Sequence, residues 1–202
     1  MEHLVTNLVE INTRKMRVEI DYDLQFSLYR GEIRRFHIEK DALLTEKAYH
    51  EIMDEILPKR ARERCLNLLE RRSMTECELR RKLKEGCYPE MIIDASMELL
   101  SRNHLINDSD YAERYVDCYG KTRSKRQIKE ELLRKGVDRD RIAQALSESE
   151  MDEEANIRRL MEKKGISAEN STEEAKNKFC AFLLRKGYDY DKIRKIVLKN
   201  FV

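Results

Sequence analysis

The feature that most limits how this chain can fold is a helix-forming segment that ends at a glycine and occurs three times. In each copy two apolar residues four positions apart precede the glycine, and an isoleucine follows six positions after it. The copies are Leu79, Leu83, Gly86 and Ile92; Ile128, Leu132, Gly136 and Ile142; and Phe179, Leu183, Gly187 and Ile193. In the first copy the spacing between the second apolar residue and the glycine is one residue shorter. A period of about 50 residues is typical of units that stack and bury a shared face. The sequence therefore predicts a mostly α-helical chain of three tandem three-helix repeats in an elongated curved array.

The first copy shows how such a helix begins and ends. Thr75, followed three residues later by Glu78, forms a capping-box pattern in which each side chain bonds the other residue's backbone amide. Leu79 and Leu83 then share one face of the helix, since residues four apart are neighbours on its surface. Gly86 supplies a residue that can adopt the left-handed conformation at the end. We expect a short helix here, followed by a second one after Pro89.

The first part of the chain has a different pattern. Residues 4–11, 16–20 and 24–28 alternate apolar and polar side chains, which predicts a small antiparallel meander of three strands. Such a sheet needs a covering element, and a helix over residues 45–57 is the candidate. Pro58 marks the expected boundary with the repeats. We therefore predict domains at 1–58, 59–105, 106–149 and 150–202. Residues 167–171, inside the last domain, have the composition of a linker. We expect residues 59–202 to fold alone.

Composition narrows the class of protein. The chain has 202 residues, of which 41% are hydrophobic and 40% charged, and this balance favours thin helical layers over one deep core. No apolar run reaches the length of a membrane span and no signal peptide is recognisable, so we expect a cytoplasmic protein. Five cysteines without a C-x-x-C pair and four scattered histidines favour reduced thiols over a zinc site. We expect no metal and no cofactor.

Basic side chains are the candidate binding residues. Although the formal net charge is only +2, lysine and arginine concentrate in the first two repeats. The candidate partner-binding residues are Arg71, Arg72, Arg80, Arg81, Lys82, Lys125, Arg126 and Lys129. Charge runs on helices are usually solvated surface. The functional alternative is a surface for a polyanion or an acidic partner.

Two further patterns restrict the function. Tyr111, Tyr115 and Tyr119 recur at helical spacing, which favours core packing over a platform for stacking bases. The chain contains no glycine-rich phosphate loop, no G-x-S-x-G and no H-E-x-x-H, and no histidine adjoins a plausible nucleophile. We therefore predict that there is no catalytic residue and that the protein is not an enzyme.

The sequence resembles the RecX family of bacterial regulatory proteins. The match lies in Arg72-x-x-Thr75-x-x-Glu78-Leu79-x-x-Lys82-Leu83, in Leu105-Ile106-Asn107-Asp108-x-x-Tyr111-Ala112-x-x-Tyr115-Val116, and in Ile128-x-x-Glu131-Leu132-x-x-Lys135-Gly136-Val137. The resemblance implies a monomer that binds the RecA nucleoprotein filament and modulates, with inhibition expected, its recombinase and coprotease activity in DNA repair and the SOS response. Two departures are Ser124, near where the family usually has glycine, and Thr75, which replaces the commoner serine.

A second hypothesis from the residues is a non-sequence-specific nucleic-acid-binding helical module. Its affinity would come from basic side chains that release counterions from phosphates. The near-neutral total charge weakens this reading, because acidic residues accompany nearly every basic cluster. A weak affinity for single- or double-stranded DNA fits both hypotheses.

Overall fold

The N-terminal sheet has one strand more than the sequence predicts. The structure, a computed structural model, describes residues 2–167 and 171–198. Its strands are β1 (His3–Glu10), β2 (Lys15–Ile20), β3 (Leu24–Tyr29) and β4 (Leu43–Leu44). They form one antiparallel sheet in the order β3-β2-β1-β4, which confirms the meander. The two residues of β4 are too few to show an alternating pattern, which explains why the sequence does not reveal it.

The remaining elements are helical, as predicted. They are α1 (Arg30–Arg35), α2 (Glu46–His50), α3 (Leu57–Leu69), α4 (Glu76–Lys84), α5 (Glu90–Arg102), α6 (Asp108–Tyr119), α7 (Lys125–Arg134), α8 (Arg139–Glu148), α9 (Glu153–Lys164), α10 (Glu173–Arg185) and α11 (Tyr190–Val197). Helices α3–α5, α6–α8 and α9–α11 are the three repeats, so the mostly helical fold with three three-helix units is confirmed. The predicted range of the third repeat and its linker include residues 168–170 and 199–202, which lie outside the described residues.

Pro58 lies inside a continuous helical run and does not separate two elements. Helix α2 passes through a π-helical stretch, Glu51–Ile56, directly into α3, where Pro58 is the second residue. Proline has no N–H to donate to the preceding turn, and the wider π turn lies just before it. Ile52, in the π-helical stretch, and Leu57, the first residue of α3, are both buried.

The sheet and the first repeat share one hydrophobic core, and the predicted boundary at residue 58 falls inside the segment that this core spans. Val18 and Phe26 from the sheet belong to the same buried cluster as Leu83 and Ile93 from the repeat. The chain divides into compact units at another place: the N-terminal unit extends to Asn107, and the C-terminal unit comprises residues 108–202. A fragment that begins at residue 59 therefore lacks half of its own core.

The capping box of α4 is confirmed. The Glu78 backbone N–H donates to the Thr75 hydroxyl at 3.2 Å, and the Thr75 N–H donates to the Glu78 carboxylate at 3.3 Å. Thr75 is fully buried, so these bonds satisfy donors that water cannot reach. The threonine thus caps the helix as the sequence predicts.

The left-handed residue that ends α4 is Cys87 and not Gly86. Cys87 has φ +56°, whereas Gly136 and Gly187, both at +81°, occupy the corresponding positions of the other repeats. Each lies four residues after the buried leucine of its helix, so the first copy is not tighter once Cys87 is aligned with these glycines. Gly86 is required for another reason: a Cβ there would lie 2.9 Å from the ring of the buried Tyr88.

Ser124 joins the second repeat to the third within the C-terminal unit. Its hydroxyl accepts the Gln127 N–H at 3.1 Å, capping α7, and donates to the Lys186 carbonyl at 2.7 Å. The side chain is fully buried. Ser124 therefore supplies a helix cap and a hydrogen bond between repeats.

Candidate partner-binding surface

Arg80 is held in an acidic network and is the least available of the predicted site residues. Its guanidinium lies 2.8 Å from Glu76, 2.6 Å from Asp94 and 3.5 Å from Glu90. Hydrogen bonds to Asp94 and Glu76 raise the pKa of the Arg80 guanidinium. Because Asp94 and Glu90 belong to α5, this arginine ties α4 to α5. Its first role is structural.

The other predicted cations in or just before α4 differ in exposure. Lys82 donates to Glu85 at 2.6 Å, and this bond lowers the pKa of the Glu85 carboxyl. Arg81 is 3.9 Å from the same carboxylate and keeps 63% of its side chain exposed. Arg72 lies 3.4 Å from Glu78, the capping carboxylate. Of these three, Arg81 is the one whose charge is most open to a partner.

Arg71, just after α3, lines a groove formed by α3, β2 and the end of β3. In the described part of the chain, no hydrogen-bond or ion-pair partner is found for its guanidinium. Lys15, Arg60 and Arg64 line the same groove. Lys15 is not among the predicted residues, because no local pattern links a strand residue to a helix more than forty positions away. Arg60 and Arg64 lie on α3, whose basic face the sequence offered as a surface for a polyanion or an acidic partner.

The cations of the second repeat do not form one group. The Lys125 backbone N–H donates to Glu153 of the third repeat at 2.8 Å, and its ammonium lies 3.5 Å from the Leu146 carbonyl. Arg126 pairs with Glu130 at 3.0 Å, and 71% of its side chain is exposed. Lys129 is exposed. Lys125 is therefore part of the contact between repeats, whereas Arg126 and Lys129 face solvent.

The predicted cations thus fall into two sets. Those numbered 71 to 82 belong to the N-terminal unit and those numbered 125 to 129 to the C-terminal unit. Within the sets, Arg71, Arg81, Arg126 and Lys129 keep their charges most available. The assignment of a partner-binding role to any of them stays a prediction.

A row of tyrosines on α6 is less buried than the sequence suggests. Tyr111 and Tyr115 pack at the edge of the second repeat's core, and Tyr119 is 36% exposed. The ring centroids are 6.1 Å and 4.5 Å apart along the row. The Arg123 guanidinium lies 3.9 Å from the Tyr119 ring centroid and donates to the Tyr115 hydroxyl at 2.8 Å. The tyrosines of this row thus contact one another and Arg123. Their spacing in the sequence had indicated core packing.

The described residues include no cluster of side chains that could hold a metal ion. Within residues 2–167 and 171–198, no group of three or more histidine, cysteine, aspartate or glutamate side chains could hold a metal ion. All five cysteines are free thiols, two of them buried. Among the same residues, no helix has the length and apolar character that crossing a membrane requires.

Family models match each of the three repeats in order. RecX models for the first, second and third three-helix domains match residues 61–100, 107–146 and 152–197. A regulatory protein RecX from Clostridium perfringens (strain 13 / Type A) is 33% identical over 190 residues, covering 92% of this chain and 90% of the relative. One from Clostridioides difficile (strain 630) is 27% identical over 202 residues, covering 97% and 95%.

Solved structures support the fold. A crystal structure of a regulatory protein RecX superimposes with a TM-score of 0.62 at 21% identity, covering 98% of this chain and 100% of that one. The crystal structure of RecX from Lactobacillus salivarius gives a TM-score of 0.60 at 26% identity, covering 71% and 96%. The first of these likenesses extends over the N-terminal sheet as well as the repeats.

Proposed function

The chain belongs to the RecX family, and on that premise we propose that it binds the RecA nucleoprotein filament and inhibits RecA recombinase and coprotease activity in DNA repair. The observation that supports this most is the ordered match of all three repeats to the RecX domains. As proposed, the protein acts as a cytoplasmic monomer, catalyses no reaction itself and requires no cofactor.

The contact with RecA is proposed to involve the predicted cations that the fold leaves most available. Arg81, Arg126 and Lys129 are exposed on α4 and α7. Among residues 2–167 and 171–198, the ion pairs of Arg81 and Arg126 are each with a glutamate one turn away, and such surface pairs contribute little to stability. A partner's carboxylates can replace these glutamates at small cost. Arg80 and Lys125 are proposed to support the surface by positioning α4 and α7.

A charge-reversal experiment tests this surface. The triple substitution Arg81→Glu, Arg126→Glu and Lys129→Glu is expected to weaken binding to RecA filaments about tenfold, because like charges then face the partner. The measurement is sedimentation of the chain with RecA filaments on single-stranded DNA. Circular dichroism should show an unchanged helical fold.

The matched control changes three cations that were not predicted to bind. Arg102, Arg158 and Lys178 each pair with a glutamate four residues earlier and are similarly exposed. Reversing all three to glutamate alters net charge by the same amount. If this control loses filament binding to the same extent, only total charge matters and the proposed surface is wrong.

The nucleic-acid-binding alternative has less support. Arg72, Arg80 and Lys82 already hold carboxylates of the same unit. Counterion release needs several cations free to meet phosphates, so we expect weak binding to naked DNA with a shallow dependence on salt. Tight, strongly salt-dependent binding to DNA together with no effect on RecA would favour this alternative.

A further inference from the structure

The groove beside α3 is a concave site that does not include Arg81, Arg126 or Lys129, the cations proposed to contact RecA. It has a volume of about 300 Å³ and lies within the N-terminal unit. The charged and amide side chains that line it are Lys15, Arg60, Glu63, Arg64, Asn67 and Arg71. Four of the six are cations and one is an anion, so the groove is locally positive although the chain is nearly neutral.

The cations differ in how far the fold uses them. Arg60 forms an ion pair with Glu32 and donates to the Ser27 carbonyl at 3.3 Å, so its charge is already balanced. Arg64 makes one long bond, 3.4 Å, to the Lys82 carbonyl. In the region that the structure describes, neither Lys15 nor Arg71 has an ion-pair partner. Arg64, Arg71 and Lys15 are therefore the charges available to an anionic ligand.

The aromatic residues of the groove argue against nucleic acid as that ligand. Sites for single strands stack bases on the faces of aromatic rings. The Tyr29 ring instead has the Lys15 ammonium 4.7 Å and the Arg60 guanidinium 4.6 Å from its centroid. Tyr88 is only 6% exposed. The two rings that line the groove are thus poorly placed to receive a base.

The uncharged and acidic groups favour a peptide. The Asn67 amide can donate to a peptide carbonyl and accept from a peptide N–H, and the Glu63 carboxylate can accept from an N–H. A phosphodiester backbone offers no N–H that the Glu63 carboxylate could accept. A polypeptide that carries carboxylates satisfies both the cations and these two side chains.

We propose that this groove binds an acidic segment of a partner protein, whose carboxylates pair with Arg64, Arg71 and Lys15. Arg64 lies in α3 and Arg71 follows the end of that helix, and both line the groove. On an extended segment alternate residues point to the same face, so carboxylates at every second position present a row of negative charge to the groove. The inference deepens the proposed function and rests on it in one respect, that RecA is the partner which supplies the segment.

The test uses the full chain and a fluorescein-labelled decapeptide in which glutamate alternates with serine. Fluorescence anisotropy at low salt should show binding, and the same peptide with glutamine for glutamate should bind about tenfold more weakly or less. Arg64→Glu with Arg71→Glu should reduce binding of the glutamate peptide about tenfold, because the groove then repels carboxylates. A ten-residue oligothymidylate serves as the phosphate probe.

The matched control is Lys59→Glu with Arg62→Glu. Both residues are exposed on α3, neither lines the groove, and the change in net charge is the same. This control should bind the glutamate peptide within about twofold of the unaltered chain. Equal loss in both double variants would mean that long-range charge and not the groove attracts the peptide. Groove-dependent binding of oligothymidylate without binding of the peptide would assign the site to nucleic acid and overturn the inference.

A RecA assay separates this inference from the proposed function. If the unaltered chain binds the peptide in the groove yet leaves RecA-dependent ATP hydrolysis unchanged, the groove assignment holds and the proposed function fails. If the chain regulates RecA while neither it nor the groove variant binds the peptide, the function holds and the groove inference fails. If the groove variant loses both activities and the control keeps both, both hold.

Discussion

Removal of residues 1–58 is expected to unfold the first repeat while residues 108–202 remain folded. The cut removes Val18, Phe26, Leu28 and Ile52, all of them buried in the core that α3–α5 share with the sheet. Each buried apolar side chain of this size contributes about 1.5–3 kcal/mol. Together the four side chains contribute about 6–12 kcal/mol, which is comparable with the whole free energy of unfolding of a typical domain, about 5–15 kcal/mol.

The loss also has a polar component. The Ser27 hydroxyl donates to the Gly86 carbonyl at 2.9 Å, and the Ser27 N–H donates to the Cys87 carbonyl at 3.2 Å. Both bonds connect β3 to the turn that ends α4. Without β3 this turn loses its partners and exposes Tyr88.

Hydrogen exchange of the fragment 59–202 measures this effect. Amides of α3, α4 and α5 should exchange at the rate of unfolded chain, whereas those of the C-terminal unit should stay protected. The fragment 108–202 is the control and should show the same protection as in the full chain. If α3–α5 are as protected in the fragment 59–202 as in the full chain, the shared core does not stabilise the first repeat.

Substitution of Glu153 by alanine is expected to be among the most destabilising single changes in the C-terminal unit. The Glu153 side chain, 7% exposed, accepts the Lys125 backbone N–H at 2.8 Å and the Lys192 ammonium at 2.7 Å. The Lys125 N–H is one of the first-turn donors of α7, which have no partner within the helix. One carboxylate therefore links α7 of the second repeat to α9 and α11 of the third.

The expected cost is about 2–3 kcal/mol, because charge-assisted bonds contribute more than neutral ones and a buried N–H is left unpaired. Lys192 regains hydration, since 42% of its side chain is exposed, and this limits the loss. Urea unfolding of the full chain, followed by circular dichroism, gives the change in free energy of the affected transition.

The neighbouring residue offers a control. Glu154 pairs with Arg158 and Lys195 on the surface, with 28% of its side chain exposed. Glu154→Ala should cost less than about 1 kcal/mol. Similar losses for Glu153→Ala and Glu154→Ala would show that the buried contact between repeats adds nothing beyond a surface pair.

Local patterns predicted the repeated helices well. The spacing of Leu79 and Leu83 placed the buried face of α4, and Thr75 with Glu78 placed its start. These features depend on residues within one or two turns, which a sequence displays directly. The left-handed Cys87 was missed because glycine is the residue expected there, and Gly86 stands next to it.

Long-range features could not be predicted in this way. No local pattern shows that Phe26 and Leu83 belong to one core, since the contact depends on how the sheet packs on α3–α5. The candidate cations were identified by type, but their availability depends on partners such as Asp94, fourteen residues after Arg80. The groove joins Lys15 to Arg71 and is likewise a product of the fold.

The central claim, that this chain regulates RecA, is tested most directly by RecA-dependent ATP hydrolysis on single-stranded DNA, measured with increasing amounts of the full chain. We expect the rate to fall as the chain is added. The chain alone, and RecA without DNA, should show no hydrolysis beyond background. An unchanged rate when the chain equals RecA in concentration would contradict the claim.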